Sequence, residues 1–457
     1  MIPVLITEIL HATGGKLLAG NISGTVTGVT TDSRSIKDGD LFVALCGEKA
    51  DGHSFVNQAL TKGAVCALVE REVPAVTAKA VILVENTVRA MGAVAKLVMQ
   101  QLSVPTVAIT GSVGKTSTRD MTHAVMCTKY NTLKNDNNYN NEIGVPLTVF
   151  KADHEITAAV IEMGMDRFGE IDRLSSIVEP DVAIVTNIGM SHIEHLGSQE
   201  NIYKAKAELF ANTKPEGTVI LNGDDPILMA HKSEITQHVI TVGVKNQDAD
   251  LVATNIQTDA SSVSFRVTGF GQDFLVTLPV PGSHNVLNAL EAIACGIHFG
   301  IGAEDIAGAL SGFSLTDMRM EIIKGKRLTI INDCYNAAPA SVAAALSVLS
   351  MHAERKVAIL GDIGALGTYS YQAHKELGSC VVQNKVDLLI TIGEHAKYIA
   401  EGAFLNGMDS LNIVSFDTVE EACVGLSSHL ENKDVVLVKA SHFMGLERVT
   451  EFLKTNF

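Results

Sequence analysis

The sequence predicts an α/β fold with three domains, in which a central parallel-sheet domain carries a phosphate-binding loop. Short β-rich runs alternate with helical patterns along most of the 457 residues, which is typical of largely parallel sheets covered by helices. The length exceeds that of one typical domain, and the pattern starts again near Gly312 to Thr316. We therefore expect domains at 1–84, 85–313 and 314–457.

Composition excludes several classes of protein. Acidic residues outnumber basic ones by 51 to 35, so the broad basic surface of a nucleic-acid-binding protein is missing. The seven cysteines form no C-x-x-C pair, which favours reduced thiols over a disulfide framework or a zinc site. The stretch Met1 to Glu8 has no basic region of a signal peptide, and no run has the length and hydrophobicity of a membrane span. We expect a cytoplasmic protein and a monomer.

In the first domain, the apolar runs 41–45 and 64–69 lie between polar, glycine-containing turns and predict strands. A helical pattern from about Thr87 to Gln101 follows and predicts a connecting helix.

The segment Thr110 to Thr116 is the strongest motif. It follows the apolar run Val107 to Ile109 and precedes a helical pattern from Thr118 to Met126, which is the context of a phosphate cradle. Lys115 would reach the β and γ phosphates, and the Thr116 hydroxyl would hold Mg²⁺. An ordinary turn with a solvated lysine is the alternative. The predicted nucleotide-binding residues of this loop are Gly111, Ser112, Gly114, Lys115, Thr116 and Ser117.

Polar residues end several strands of the central domain, where parallel sheets bind ligands. Glu162, Asn187 and Asn222 each close an apolar run. Glu162 could be a second Mg²⁺ ligand facing Thr116, because Mg²⁺ prefers oxygen ligands. The alternative is a helix cap or a solvated turn acid.

Three further side chains of the central domain leave two interpretations open. His192 could ligate a metal or contact a phosphate, although its surroundings match no zinc motif and a structural role is common. Lys204 and Lys206 lie on a predicted helix, from Glu200 to Ala211, and could be solvated. A lysine turned towards a metal site would instead be reactive, because burial lowers its pKa.

Later candidates lie at element ends. Asn285 precedes a helical run from Ala289 to His298 and could cap it or contact an adenine. Arg319 follows the second linker, where a cation could reach a γ-phosphate. A strand tip of the third domain carries the further candidates Asp333, Tyr335 and Asn336.

Taken together, these segments resemble the Mur ligase family, the ATP-dependent amide ligases of peptidoglycan precursor synthesis. The general phosphate-loop pattern has a glycine five residues before Gly114, where this chain has Ile109, and this shorter loop is the form that the family uses. The landmarks span nearly the whole chain in the expected order. They are Thr31-Asp32-Ser33-Arg34, Leu41 to Leu45, Asp51-Gly52-His53-Ser54-Phe55, the phosphate loop, Asn140 to Pro146, Thr186 to Gly189, Asp333 to Asn336 and Phe443 to Arg448.

Within the family, the chain is most similar to members that join D-alanyl-D-alanine to the tripeptide carboxylate of UDP-N-acetylmuramoyl-tripeptide through an acyl phosphate. The resemblance implies a UDP-substrate domain, a central ATPase domain and a C-terminal Rossmann-like domain. It also implies ATP and two Mg²⁺ ions as cofactors.

The resemblance implies roles residue by residue. Lys115 would bind phosphate, Thr116 and Glu162 would hold one Mg²⁺, and His192 would help to hold the second. Lys206 matches the lysine that the family carbamylates, which would make it an anionic Mg²⁺ ligand. Asn285 would contact adenine, Arg319 the γ-phosphate and Asp333 the ribose. The expected contacts to the peptide substrates are Thr31, Asp32, Ser33, Arg34, Asn140, Asn141, Glu142, Tyr335 and Asn336.

The third domain departs from the family pattern at Ala338, at Ala440 with His442, and at Gly364 to Gly367. A nucleotide-binding relative without ligase activity is therefore an alternative of a different class. Another Mur ligase, or the related enzyme that adds glutamate to folates, is the alternative among the enzymes.

Overall fold

A computed structural model describes residues 1–47, 50–74, 78–136, 138–316 and 318–457. The β-rich runs and helical patterns of the sequence form three α/β units that follow one another along the chain. Each unit is a main sheet with its helices, and the units are called the first, central and third layers below. Each main sheet lies within one of the ranges 1–84, 85–313 and 314–457. The boundaries themselves remain predictions.

The first layer is a small sheet in the order β2-β7-β6-β5-β4, with β2 antiparallel at one edge. A separate antiparallel pair joins β1 to β3. The buried strands β5 and β6 confirm the predicted runs 41–45 and 64–69, whereas the buried strand β7 was not predicted. The elements are β1 Val4–Leu5, α1 Ile6–Ala12, β2 Lys16–Ala19, β3 Thr25–Val26, β4 Gly28–Thr30, β5 Asp40–Val43, α2 Val56–Lys62, β6 Cys66–Val69 and β7 Ala80–Leu83.

The central layer begins with the predicted connecting helix, α3. Its sheet has the order β16-β15-β14-β13-β12-β11-β8-β10-β9, parallel from β9 to β14. Its elements are α3 Thr87–Leu102, β8 Thr106–Thr110, α4 Lys115–Met126, β9 Thr132–Lys134, α5 Gly144–Val149, β10 Ala158–Glu162, α6 Glu170–Val178, β11 Val182–Val185, α7 Ile193–Leu196, α8 Gln199–Asn212, β12 Thr218–Asn222, α9 Pro226–Ala230, β13 His238–Gly243, β14 Leu251–Thr258, β15 Val263–Gly269, β16 Gln272–Leu278, α10 His284–His298 and α11 Ala303–Ser311.

The third layer is a parallel sheet in the order β17-β18-β22-β19-β20-β21, with β17 antiparallel at the edge. The sequence predicts strands from the apolar runs 328–331, 357–360, 388–392 and 435–438, and these runs form the buried strands β18, β19, β20 and β22. Its elements are β17 Glu321–Lys324, β18 Thr329–Asn332, α12 Pro339–Leu349, β19 Lys356–Gly361, α13 Ser370–Gln383, β20 Leu388–Ile392, α14 Lys397–Leu405, β21 Ile413–Phe416, α15 Val419–Gly425, β22 Val435–Lys439 and α16 Glu447–Asn456.

The expectation of largely parallel sheets is confirmed, with one addition. Strands β14, β15 and β16 form an antiparallel meander at the edge of the central sheet, which the strand-and-helix alternation did not predict. Two helices also begin earlier than expected, α4 at Lys115 rather than Thr118 and α10 at His284 rather than Ala289. No helix in the described part of the chain has the length and apolar character that crossing a membrane requires.

Candidate active site

A cleft of about 860 Å³ lies between the central and third layers. Small-molecule sites commonly measure roughly 300–1,000 Å³. The carboxyl ends of strands β8 and β10 face it from one side and the end of strand β18 from the other. Most of the candidate residues line it: Ser112, Gly114, Lys115, Thr116, Ser117, Asn140, Asn141, Glu162, His192, Asn285, Arg319, Asp333, Tyr335 and Asn336.

The phosphate loop needs its two glycines. Gly111 has φ +152°, and a Cβ there would lie 1.9 Å from Thr186 Oγ1. Gly114 has φ +88° and caps helix α4, and a Cβ there would lie 2.5 Å from Asn288 Oδ1. Gly114 gives α4 no side-chain cap, and the first residues of the helix line the cleft, which is an arrangement that could bind an anion.

Lys115 lies over its own loop instead of in open solvent. Its Nζ donates to Gly111 O at 2.9 Å and to Ser112 O at 3.4 Å. Burial lowers the pKa of Lys115, and the charge of Glu162 opposes that effect. A phosphate in the loop would offer this cation a stronger, charged acceptor than two carbonyls.

The predicted pairing of Thr116 with Glu162 is present. Thr116 Oγ1 donates to Glu162 Oε2 at 2.8 Å, and both side chains are buried. Asn140 Nδ2 donates to Glu162 Oε1 at 2.8 Å. The side chain of Asn135 holds the backbone of Glu162: Asn135 Oδ1 accepts from the N–H of Glu162 at 2.7 Å, and Asn135 Nδ2 donates to Glu162 O at 3.0 Å. The oxygen atoms of Thr116 and Glu162 therefore lie side by side, and oxygen atoms are the ligands that Mg²⁺ prefers.

One ring nitrogen of His192 is hydrogen-bonded to a carboxylate. Its Nδ1 lies 2.8 Å from Asp166 Oδ1, and this hydrogen bond lowers the pKa of Asp166. An Nδ1–H that donates to a carboxylate leaves Nε2 as the nitrogen with a lone pair. His192 also has φ +64°, a left-handed backbone at the start of helix α7. The histidine is therefore oriented as a metal-ligating histidine is, at the wall of the cleft.

The two lysines of helix α8 have opposite environments. Lys204 is exposed and makes an i,i+4 pair with Glu200 at 3.5 Å. Lys206 is only 2% exposed, and its Nζ donates to Gly111 O at 2.9 Å. Burial, together with the charge of Lys115, lowers the pKa of Lys206 well below its ordinary value. Both causes favour the uncharged amine of Lys206, which lies directly behind the phosphate loop.

Asn285 belongs to the first turn of α10, and Ser283 gives this helix no side-chain cap. Asn285 Nδ2 donates to Pro281 O at 2.8 Å, and its Oδ1 accepts from Asn288 Nδ2 at 3.2 Å. One turn further, Glu291 Oε2 accepts from Thr118 Oγ1 at 2.9 Å. These contacts join α10 to the helix that follows the phosphate loop.

Arg319 reaches the cleft from the third layer. Its guanidinium lies 4.2 Å from the centre of the Tyr335 ring, within the range of a cation–π contact. The Tyr335 ring in turn lies 5.8 Å from that of His442. Asn336 is adjacent, with its Oδ1 accepting from the N–H of Ala337 at 2.9 Å.

Asp333 is engaged by a lysine. Its Oδ2 lies 2.6 Å from Nζ of Lys439, and its Oδ1 accepts from the N–H of Met320 at 3.1 Å. Lys439 is 2% exposed and also donates to Asn336 O at 3.0 Å. The pair fixes the tip of β18 against the end of β22.

The segment Thr31 to Arg34 lies in the first layer, after strand β4. Asp32 and Arg34 form an exposed ion pair at 2.9 Å, and Ser33 O accepts from Lys62 Nζ at 3.1 Å. Asn141 Oδ1 caps α5 by accepting from Gly144 N at 2.8 Å. The described contacts of these residues are within the chain.

Glu142 makes an ion pair with Arg173, which raises the pKa of the arginine. The sequence offered no hint of this partner. A substrate contact by Glu142 would have to share the carboxylate with the guanidinium.

Residues of the third layer that depart from the Mur ligase pattern make defined contacts within the structure. Ala338 precedes α12, and its N–H donates to Ser341 Oγ at 3.0 Å, so Ser341 supplies the capping contact. Ala365 has φ +58°, and its carbonyl accepts from Glu194 N at 3.2 Å. The Gly364 to Gly367 segment therefore packs the third layer onto α7, next to His192.

The sequence analysis missed several residues at the site, among them Lys439, which holds Asp333. Arg119 Nη1 lies 3.3 Å from Glu162 Oε2, Asn135 holds the Glu162 backbone, and Asp166 holds His192. Arg119 is three residues after Thr116, so helical spacing alone places both on one face of α4. Asn135 follows strand β9 and satisfies the strand-tip rule that selected Glu162.

Comparison with known proteins gives matches along the whole chain. The family model for the Mur ligase family, catalytic domain, matches residues 25–100. The model for the Mur ligase middle domain matches 109–296, and that for the Mur ligase, glutamate ligase domain, matches 318–442.

Individual relatives match over nearly their full length. UDP-N-acetylmuramoyl-tripeptide–D-alanyl-D-alanine ligase of Bacillus subtilis is 39% identical, covering 99% of each chain. A crystal structure of MurF from Acinetobacter baumannii matches with a TM-score of 0.91 and 32% identity, covering 99% of each chain. A structure of MurF ligase from Thermotoga maritima in complex with ADP matches with a TM-score of 0.84 and 27% identity, covering 94% of this chain and 97% of that one.

Proposed function

We propose, from the premise that this chain belongs to the Mur ligase family, that it uses ATP to join D-alanyl-D-alanine to UDP-N-acetylmuramoyl-tripeptide. The observation that carries the proposal is the convergence of the phosphate loop, the Thr116–Glu162 oxygen pair, His192 and Arg319 on one cleft. The substrates are those in the name of the 39% identical relative.

ATP would lie with its phosphates on the N–H groups of α4 and on Lys115. Lys115 would leave the carbonyls of its own loop for the phosphate oxygens. Arg319, on the opposite wall, would meet the γ-phosphate, while Asn285 would contact the adenine and Asp333 the ribose. Lys439 fixes Asp333 in place for that contact.

Two metal positions are proposed. Thr116 and Glu162 would hold one Mg²⁺, and His192 would offer Nε2 to the second. Magnesium bound there would neutralise the charge that develops on the transferred phosphoryl group. Lys206 would become a ligand of the second site by carbamylation, in which its neutral Nζ adds to CO₂ and loses a proton. The burial of that amine and the lowering of its pKa support the assignment.

The reaction follows from the chemistry of carboxylates. A carboxylate is a poor acyl donor, and transfer of the γ-phosphoryl group gives an acyl phosphate with a good leaving group. The amine of D-alanyl-D-alanine then attacks the acyl carbon, and phosphate leaves. Lys115 and Arg319 would offset the repulsion between two anions, and closure of the cleft would protect the acyl phosphate from water.

The peptide substrate would extend from the cleft towards the first layer. Asn140, Asn141, Tyr335 and Asn336 line the cleft where its carboxylate end would lie. The UDP end would contact the segment from Thr31 to Arg34. In this proposal residues 1–84 bind the UDP-substrate, 85–313 the nucleotide and 314–457 the dipeptide.

Lys115→Ala tests the nucleotide assignment. Ligation should fall below detection, because the cation that meets the phosphates is lost, while binding of UDP-N-acetylmuramoyl-tripeptide stays measurable by calorimetry. The matched control is Lys129→Ala, which removes an exposed lysine beyond the far end of α4 that donates to Phe299 O. Near-normal turnover of Lys115→Ala would refute the phosphate-loop assignment.

A further inference from the structure

A partly buried hydrogen bond ties the linker before the third layer to the phosphate-loop helix. Thr316 Oγ1 donates to Asp120 Oδ2 at 2.5 Å. Asp120 lies on α4, four residues after Thr116, and is 6% exposed. The contact therefore joins the helix that would hold the nucleotide to the segment from which Arg319 projects.

The acceptor end of this bond is fixed by charge. Asp120 Oδ1 accepts from Arg119 Nη2 at 2.8 Å and from Lys134 Nζ at 2.7 Å. Burial alone would raise the pKa of Asp120, but the charge of Arg119 and the hydrogen bonds from Lys134 and Thr316 lower it. Arg119 Nη1 also lies 3.3 Å from Glu162 Oε2. The carboxylate of Asp120 therefore belongs to the same buried network as Glu162, the proposed metal ligand.

The donor end leads to Arg319. Thr316 O accepts from the N–H of Arg319 at 3.2 Å, and Tyr335 N–H donates to Met318 O at 3.2 Å. The guanidinium of Arg319 lies over the Tyr335 ring. Displacing Thr316 would therefore displace the backbone of Arg319, because Thr316 bonds both to that backbone and, through its hydroxyl, to α4.

We propose that Asp120 and Thr316 form a clasp that positions Arg319 against the phosphate loop. Both are positioning residues, because neither side chain needs to touch a substrate. The proposal rests on the proposed function for the role of Arg319 at the γ-phosphate. Transfer reactions depend steeply on such placement, and displacements of about 1 Å can lower rates roughly 100-fold.

The test compares two variants of one side chain. Thr316→Val removes the hydroxyl at nearly constant volume, whereas Thr316→Ser keeps it. In Thr316→Val, kcat should fall about tenfold or more, the size expected when a hydrogen bond to a charged group is lost. The KM for UDP-N-acetylmuramoyl-tripeptide should change less than about twofold, because its UDP end binds elsewhere. Thr316→Ser should restore most of kcat, and Ser314→Ala, an exposed change in the same linker, should leave it unaltered.

A binding measurement separates the clasp from the ligase assignment. Calorimetry with ADP and with a non-hydrolysable ATP analogue gives the ratio of their affinities, which reports contact with the γ-phosphate. Thr316→Val should lower the preference for the analogue several-fold, and Thr316→Ser should not. If the wild-type chain fails to ligate but shows this pattern, the clasp stands and the ligase assignment fails. The clasp would be overturned if Thr316→Val had the same affinity ratio and the same kcat as wild type. It would also be overturned if Thr316→Val and Thr316→Ser lost kcat equally.

Discussion

A buried acid on α10 gives a prediction whose size follows from the structure. Glu291 is 1% exposed, and burial raises its pKa from 4.5 to about 8, against the opposing hydrogen bond from Thr118. Its Oε1 has no hydrogen-bond partner among the described residues. Near pH 7 the native chain therefore holds this carboxyl protonated, between α10 and the phosphate-loop helix.

The sign of the pH effect follows from the two pKa values. Below pH 4.5 the carboxyl is protonated in both states and contributes no pH dependence. Between pH 4.5 and about 8 the unfolded chain releases the proton and the native chain keeps it, so native stability falls as the pH rises. The loss amounts to roughly 3 kcal/mol between pH 5 and pH 8, at 1.36 kcal/mol for each pH unit in which only the unfolded state is ionised.

Glu291→Gln removes this titration. The stability difference between variant and wild type should shift in favour of the variant by roughly 3 kcal/mol from pH 5 to pH 8. A constant offset of about 1–3 kcal/mol from the unpaired amide hydrogens does not affect that shift. Urea unfolding followed by far-UV circular dichroism at pH 5, 6.5 and 8 measures it. Glu304→Gln, at an exposed position of helix α11, is the control and should give parallel curves within about 0.5 kcal/mol.

Parallel pH curves for wild type and Glu291→Gln would refute the reasoning. They would mean that Glu291 is ionised in the native state, so that a cation or water reaches its Oε1. A shift of the predicted size would identify Glu291 as a neutral acid that links α10 to α4.

Three further results are expected at the site. Glu162→Gln should lower kcat roughly 100-fold or more in steady-state assays, with partial relief at high Mg²⁺, and unchanged Mg²⁺ dependence would contradict the metal assignment. Asp166→Ala should raise the Mg²⁺ concentration needed for half-maximal turnover roughly 10- to 100-fold, because His192 is no longer held in place. Asp166→Asn should raise it less, and equal effects of the two variants would mean that only the charge of Asp166 matters. Removing CO₂ should lower wild-type turnover and bicarbonate restore it; Lys206→Ala should be inactive under both conditions and Lys204→Ala should behave as wild type.

Much of the fold could be predicted because its strands are buried on both faces. Runs such as Val182–Val185 and Leu388–Ile392 are continuously apolar, as parallel strands covered by helices must be. The antiparallel meander of β14, β15 and β16 escaped prediction. Its strands alternate buried residues with partly or fully exposed ones, as in Val263–Gly269, so they contain no long continuous apolar run.

The site could be predicted where local sequence determines the geometry. The phosphate loop and Glu162 are set by a strand end and a helix start, and both lie where expected. Lys206 needed more. It shares the buried stripe of α8 with Ile202 and Leu209, so its spacing already marked it as turned inwards, although the charge pattern suggested solvent.

Partners brought together by the tertiary fold could not be read from the sequence. Lys439 meets Asp333 across 106 positions, and Thr316 meets Asp120 across 196. Nothing in the spacing of such residues predicts the pairing. The same holds for the contact of Ala365 with Glu194, which appears only when the third layer packs on α7.

The most direct test of the account is phosphate release from ATP in the presence of UDP-N-acetylmuramoyl-tripeptide, with and without D-alanyl-D-alanine. The account predicts release that requires both substrates, with one UDP-N-acetylmuramoyl-pentapeptide formed for each phosphate, as mass spectrometry of the product can verify. Nucleotide binding without dipeptide-dependent release would contradict the ligase assignment and leave the cleft as a nucleotide site with another purpose.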